Sequence, residues 1–337
     1  MIYTVEKLEE LQHRWTTPKG KALIKAIKVG RCYLSPVLFR QEVRNFPGIK
    51  DEEVEDGIDL RGAPMAGFDF RVPILEDDDG YSENVAILSN IHFEGTILKH
   101  CNFENGKIHD CSFENAELEH CNFENATVNN CNFQEANCLG VNLHNSKLIN
   151  CNFSDATIRD ISLASVVIDQ KSTFGKKLRS EKEDNYHFAS MEYKQIKEMY
   201  KNSSLHGEAD EYHFREMVAK RKTISIKSPK RWFNFFFGDL LCKYGTSFNR
   251  VLFWAAIVIL ISAASHTVQN SLYFHNTPTK VGFLDSLYFS IVTFTTLGYG
   301  DYHAIGLMRF IAAGEAFIGA TLLSLFTVIV ARTIIRD

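Results

Sequence analysis

CNFENGKIHDCSFENAELEHCNFENATVNNCNFQE, Cys101 to Glu135, repeats with a period of five. Neither an α-helix nor a plain strand has that period. Followed outward in both directions, a large apolar residue recurs from Leu88, Phe93, Leu98 and Phe103 through Phe113, Phe123 and Phe133 to Phe153, Leu163 and Ile168, 17 consecutive units over residues 86–170. Two positions earlier stands a small or compact residue, among them Cys101, Cys111, Ala116, Cys121, Ala126 and Cys131. The other three positions are mostly polar, so two of every five side chains point inward.

The chain around this stretch has 337 residues, 45% of them hydrophobic and 12% aromatic. That is too long for one ordinary core and too apolar for disorder. Its net charge of −4 hides a segregation: residues 1–50 carry +6, residues 51–170 carry −17 and residues 171–337 carry +7. Domain boundaries are expected near the sign changes. The N-terminus, MIYTVEKLEELQHRW, has charges through its first apolar stretch and does not read as a secretory signal.

The five-residue pattern resembles the pentapeptide-repeat family, and the resemblance implies a right-handed quadrilateral β-helix with four pentapeptides per turn. Residues twenty apart then stack: Phe93, Phe113, Phe133 and Phe153 in one column, and Phe103 and Phe123, continued by Leu143 and Leu163, in the opposite one. Residues 58–72 fit the same template, so the β-helix is expected over 58–170 with residues 73–85 as an inserted loop. Glu76, Asp77, Asp78 and Asp79 in that loop read as a solvated acidic turn in preference to a divalent-cation site. The open ends of such a rod need covers. A helical cap within 1–57 is expected at one end, with Thr17 capping a helix that starts at Pro18.

Five of the eight cysteines occupy the small inward position, which reads as packing by free thiols in a reducing cytosol. No CxxC pair suggests zinc. Some acidic relatives are thought to imitate duplex DNA, but that reading is set aside and no nucleic-acid partner is expected; the negative charge keeps a rod soluble and away from anionic lipid.

Residues 171–247 read as a helical linker: a hairpin from Glu181 to Arg221 broken around Ser203 to Gly207, then a basic cluster (Lys220, Arg221, Lys222, Lys227, Lys230, Arg231) before RWFNFFFGDLL. Clustered Lys/Arg beside a span mark the cytoplasmic side. Trp232, Phe235 and Phe236 with Leu240 suit a helix lying in the lipid interface.

The last domain, 248–337, holds two runs long and apolar enough to span a bilayer, 250–268 and 305–335, with the shorter segment 284–301 between them. A segment too short to span yet flanked by two spans is expected to dip in and return, which is tolerated only where it lines an aqueous path. Thr295-Thr296-Leu297-Gly298-Tyr299-Gly300-Asp301 resembles the selectivity filter of potassium channels, with Leu297 where valine is commonest. The resemblance implies K⁺ held by Thr296, Leu297, Gly298 and Tyr299, with Gly300 completing the filter and Thr295, Asp301 and Phe289 supporting it. Main-chain oxygens replace the ion's water shell, and glycine permits the backbone conformations that aim them at one axis. Asp285 is expected to cap the helix leading into the filter, whose C-terminal dipole favours a cation.

One loop per chain supplies a quarter of each oxygen ring, so a homotetrameric, α-helical two-span channel pore in a lipid bilayer follows. Relatives often place an acidic partner of the filter aspartate where this chain has Val292, and an aromatic donor where it has Phe289, so filter support is expected to differ. Gly319 matches the family's hinge glycine or serves close helix packing, with Ala320, Leu323, Thr327 and Ala331 as the pore-facing set. Glu315, costly within a span, is expected to find a hydrogen-bonding partner and to anchor rather than gate.

The sequence thus reads as a multidomain membrane protein, a K⁺ channel of the plasma or inner membrane with both termini cytoplasmic. It is not expected to be an enzyme or to hold an organic cofactor. No arginine-rich voltage-sensing helix precedes the pore, and regulation is expected to enter through residues 1–250, by an unidentified cytoplasmic ligand or protein. A membrane-tethered binding protein and an unselective cation channel are the competing readings.

Overall fold

The computed structural model describes residues 4–29, 58–73, 84–274, 277–278 and 281–336. The acidic loop Glu76–Asp79 and the segment 30–57 lie outside the described residues. The chain divides into two units, Met1–Thr223 and Ile224–Asp337. The linker expected over 171–247 is therefore shared between them.

The first unit is built on a β-solenoid of about four turns. Leu88, Ile108, Val128, Leu148 and Ile168 lie in parallel register, each twenty residues from the next. From Asn90 to Ser165 each unit turns its corner on a residue with left-handed backbone, as at Asn105 (φ 58°), Asp110 (φ 55°), Asn115 (φ 56°), His120 (φ 56°) and Asn125 (φ 56°). Asn and Asp tolerate that region best after glycine, which explains their recurrence at the fifth position. The sequence reading treated that position only as polar.

Inside, the two expected aromatic columns form. Phe93, Phe113, Phe133 and Phe153 stack with ring centroids 4.9, 4.8 and 4.6 Å apart. Phe70, Phe103 and Phe123 stack at 4.6 and 4.5 Å. The columns meet edge to face, Phe103 to Phe113 at 6.2 Å, the geometry the ring quadrupole favours. Residues 58–72 do form a rung: Ile58 pairs with Ile91 and Asp69 bridges to Asn102. That register of 33 exceeds the usual 20 by the length of the expected insert 73–85, whose ends pair as an antiparallel bridgehead, Val72 with Val85 and Pro73 with Asn84. At the far end the coil runs past residue 170. Asn152 bridges to Thr173 and Phe174 extends the first column at 5.1 Å, a register of 21 that absorbs one extra residue.

Both ends are covered. Helices α1 (Val5–His13) and α2 (Pro18–Val29) close the first rung, each N-capped by a threonine: Thr4 Oγ1 accepts the Lys7 N–H and Thr17 Oγ1 the Gly20 N–H. Between them Arg14 grips Asp59 with two hydrogen bonds of 3.0 and 2.8 Å, and the Trp15 indole donates to the Arg61 carbonyl at 2.7 Å. Burial alone would raise the Asp59 pKa, but hydrogen bonds from Arg14 and Arg61 hold it below the usual range. At the other end, α3 (Arg179–Lys182), α4 (Tyr186–Asn202) and α5 (His206–Lys222) form the expected helical hairpin. Ser203 Oγ accepts the Ile168 N–H, and the Tyr200 hydroxyl donates to the Ser172 carbonyl, so the last strand's open groups are satisfied.

The second unit begins with α6 (Pro229–Phe233), running into a π-helical turn, Asn234–Leu240. Trp232, Phe233, Phe236 and Phe237 are all more than half exposed or at that mark. An elbow at Lys243, Tyr244 and Gly245, all with positive φ, then leads into α7 (Phe248–Gln269). The short α8 (Phe283–Phe294) and the long α9 (Met308–Arg336) follow. Residues Leu272–Phe274 pair antiparallel with Thr277–Pro278 and Tyr302–Ala304, closing a small sheet beside the α8–α9 connection.

Candidate functional site

The α8–α9 connection is built from its helix outward. Asp285 caps α8 from inside the first turn, its carboxylate accepting the Gly282 N–H at 3.1 Å; the Tyr302 hydroxyl also donates to it, at 3.3 Å. At the other end Thr295 closes the helix, with its N–H and its hydroxyl both donating to the Ile291 carbonyl. The chain then reverses. The N–H groups of Thr296 and Leu297 fold back onto the carbonyls of Thr293 and Val292 at 3.0 Å.

From there the backbone alternates. Thr296 (φ 57°), Gly298 (φ 56°) and Gly300 (φ 80°) are left-handed, while Leu297 and Tyr299 between them are not. Alternation of handedness turns successive carbonyls toward one side, which a uniform strand cannot do, since its carbonyls alternate. A side chain at Gly298 or Gly300 would meet no atom of this chain within 4 Å; conformation, not crowding, demands glycine there. Leu297 and Tyr299 are 61% and 68% exposed within the chain.

Of the expected support residues, Phe289 packs edge-on against His266 of α7, with centroids 5.0 Å apart. Asp301 accepts its neighbour Tyr302's N–H at 3.0 Å, and the side chain that faces its carboxylate is Tyr288. The family pattern places an acidic partner of that aspartate where this chain has Val292, which cannot pair with it, and nothing in the spacing singles out Tyr288. Val292 is buried and contributes its carbonyl.

Along α9, one face packs on α7 and α8 and the other does not. Glu315, Gly319, Leu322 and Ile329 are buried; Ala320, Leu323, Thr327 and Ala331, the expected pore-facing set, are all exposed. A Cβ on Gly319 would lie 2.0 Å from the Phe294 carbonyl oxygen, so this glycine lets α9 cross the end of α8 in contact. Glu315 finds its partners in Ser262 of α7 and Ser290 of α8. Near its C-terminal end, Arg332 donates to the Gly245 carbonyl of the elbow at 3.0 Å.

Among the described residues no cluster of three His, Cys, Asp or Glu could hold a metal ion. The seven described cysteines are free and buried.

Comparison with known proteins divides the chain in the same way. A family model described as ion channel matches residues 250–336, and two models described as pentapeptide repeats match residues 88–137 and 129–163. No curated protein matches the chain. Among solved structures, HetL from the cyanobacterium Nostoc sp. strain PCC 7120 is 17% identical over 32% of this chain, with a TM-score of 0.28; the chain spans 46% of that protein's length. Rfr23 from Cyanothece 51142 is 18% identical over 37% of this chain and 95% of its own, with a TM-score of 0.26. A pentapeptide repeat protein from the Arabidopsis thaliana thylakoid lumen is 17% identical over 44% of this chain and 84% of its own, with a TM-score of 0.30. Helices α7 and α9 are long and apolar enough to cross a membrane. The chain therefore joins a pentapeptide-repeat coil to an ion-channel domain of residues 250–336.

Proposed function

We propose that this protein is a potassium-selective channel, a homotetramer of the cell membrane that passes K⁺ down its gradient and catalyses no reaction. The observation that carries the reading is the alternating handedness at Thr296, Gly298 and Gly300, directly after a helix whose C-terminus points its dipole's negative end toward the loop. Carbonyls of Thr296 to Tyr299 then form one wall of a dehydrating path, and four chains close it. The exposure of Leu297 and Tyr299 fits this, since their packing surface comes from neighbouring copies. The exposed stripe Ala320, Leu323, Thr327 and Ala331 lines the path beyond the filter. The basic cluster from Lys220 to Arg231 supports cytoplasmic termini.

The coil is a cytoplasmic regulatory or assembly domain in this reading. The Arg332 bond to Gly245 supports a route for regulation, because it joins the last turns of α9 to the elbow through which the preceding chain enters the pore.

Purified protein in liposomes tests the whole. K⁺ efflux is expected to exceed Na⁺ efflux by orders of magnitude, and Gly298→Ala, which forces a side chain into a left-handed position at about 1–2 kcal/mol per chain, is expected to abolish the difference. Equal fluxes of the two ions would make it an unselective channel, and no flux would leave a membrane-tethered binding protein.

A further inference from the structure

Glu315 is 3% exposed on an apolar helix, with Ser262 at 5% and Ser290 at 0% around it. The Ser262 hydroxyl donates to Glu315 Oε2 at 2.6 Å, and Ser290 Oγ pairs with Glu315 Oε1. Ser290 Oγ also lies 2.9 Å from the Ile259 carbonyl of α7. One carboxyl group thus draws all three helices of the channel domain together. An apolar side chain would fill the same space without desolvating a carboxyl group, so packing alone does not call for an acid here.

What the acid adds is a fixed position. Four residues on from Glu315 stands Gly319, pressed to the backbone of Phe294, and Phe294 stands four residues on from Ser290. Two contacts one helical turn apart, Glu315 to Ser290 and Gly319 to Phe294, fix both the height and the rotation of α8 on α9. Thr295 and the filter follow at once.

We infer that Glu315 is a positioning residue for the filter: through Ser290 it holds α8 in the register on α9 that sets where the filter carbonyls lie. This rests on the channel reading above and deepens it. Small displacements matter at such a site, because ion discrimination depends on oxygen rings set at fixed distances.

The test compares K⁺/Na⁺ flux ratios of full-length protein in liposomes with the thermal stability of the assembled oligomer. Glu315→Gln keeps an oxygen for Ser262 and gains an N–H for Ser290, and is expected to hold the original ratio. Glu315→Leu, of similar size, is expected to assemble but to lose selectivity on the order of tenfold, the scale of a single hydrogen bond. Ser290→Ala is expected to lose it similarly, and the Glu315→Leu/Ser290→Ala pair to be no worse than either alone, since both remove one contact. A Leu variant that assembles with an unchanged ratio overturns the proposal and leaves Glu315 a plain anchor. Should the Leu variant not assemble, an unchanged ratio in Ser290→Ala overturns it equally. Absence of K⁺ preference in the unsubstituted protein is a separate result and sinks the channel reading itself.

Discussion

In the coil, Phe103, Phe113 and Phe123 are at most 1% exposed, whereas in the channel domain Leu297, Tyr299, Phe310 and Phe317 are 61% to 77% exposed. Each set is large and apolar; only the first is buried by its own chain. The coil repeats one contact many times, rung on rung, and its neighbours along the sequence supply every partner. The channel domain makes each contact once, between helices far apart in sequence, and leaves a wide apolar surface for lipid and for other copies. A substitution in the coil should therefore cost local stability, and one in the pore should cost assembly or selectivity.

Gly319→Val is the harshest way to test the pore side of that contrast. A side chain there meets the Phe294 carbonyl at 2.0 Å, and backbone cannot give way as a flexible side chain does. Overpacking of this kind costs roughly 1–3 kcal/mol in each chain. Oligomer yield by size exclusion with light scattering is expected to collapse while the coil's circular dichroism persists. A Gly319→Val protein that assembles and conducts normally would show that α9 does not need to touch α8 at this point.

Phe123→Ala probes the other side. Removing a buried ring costs about 3–5 kcal/mol, and Phe123 stacks on Phe103 at 4.5 Å and meets Phe113 and Phe133 edge-on. The coil's melting temperature in the full-length protein is expected to fall, with the K⁺/Na⁺ ratio unchanged. A changed ratio would mean that the filter feels the coil's packing and would blur the division drawn here.

The same contrast explains what could be read in advance. Period-five sequence names the inward side chains directly, so the columns of Phe93 and Phe103 and the insert 73–85 are legible in it. The left-handed corner was written there too, in the Asn and Asp that recur at the fifth position, but a polar surface residue and a turn residue look alike in sequence. The extra residue near 170 was hidden because Lys171 to Phe174 no longer shows the repeat. In the channel domain the left-handed positions 298 and 300 were legible because glycine answers a local backbone demand. Tyr288 facing Asp301, the two serines holding Glu315, and Gly319 against Phe294 were not, since no spacing along one helix states which residue of another it meets.

A gentler perturbation, pH, follows from how the coil buries its thiols. An unfolded cysteine ionises near pH 8.5, to within about a unit. In the coil, burial pushes Cys138 up to about 12, and burial with the neighbouring Cys131 does the same to Cys151. Below the unfolded value both states keep the proton, so the thiols' contribution is complete. Above it only the unfolded chain gains by ionising, and the contribution drains away until the folded value is reached. Between the two values each thiol withdraws about 1.4 kcal/mol per pH unit, so one unit above the unfolded value the pair costs the coil about 3 kcal/mol. The coil's melting temperature is expected to be flat from pH 7 to 8 and to fall steadily beyond 8.5. Cys138→Val with Cys151→Ala, which put apolar residues found elsewhere in the repeat at those two positions, is expected to make the fall shallower. An equally steep fall in the double variant would place the alkaline sensitivity elsewhere than in these two side chains. Because the effect arises from packing that each rung repeats, it should appear in the coil's transition and leave the ion selectivity of still-folded oligomers alone.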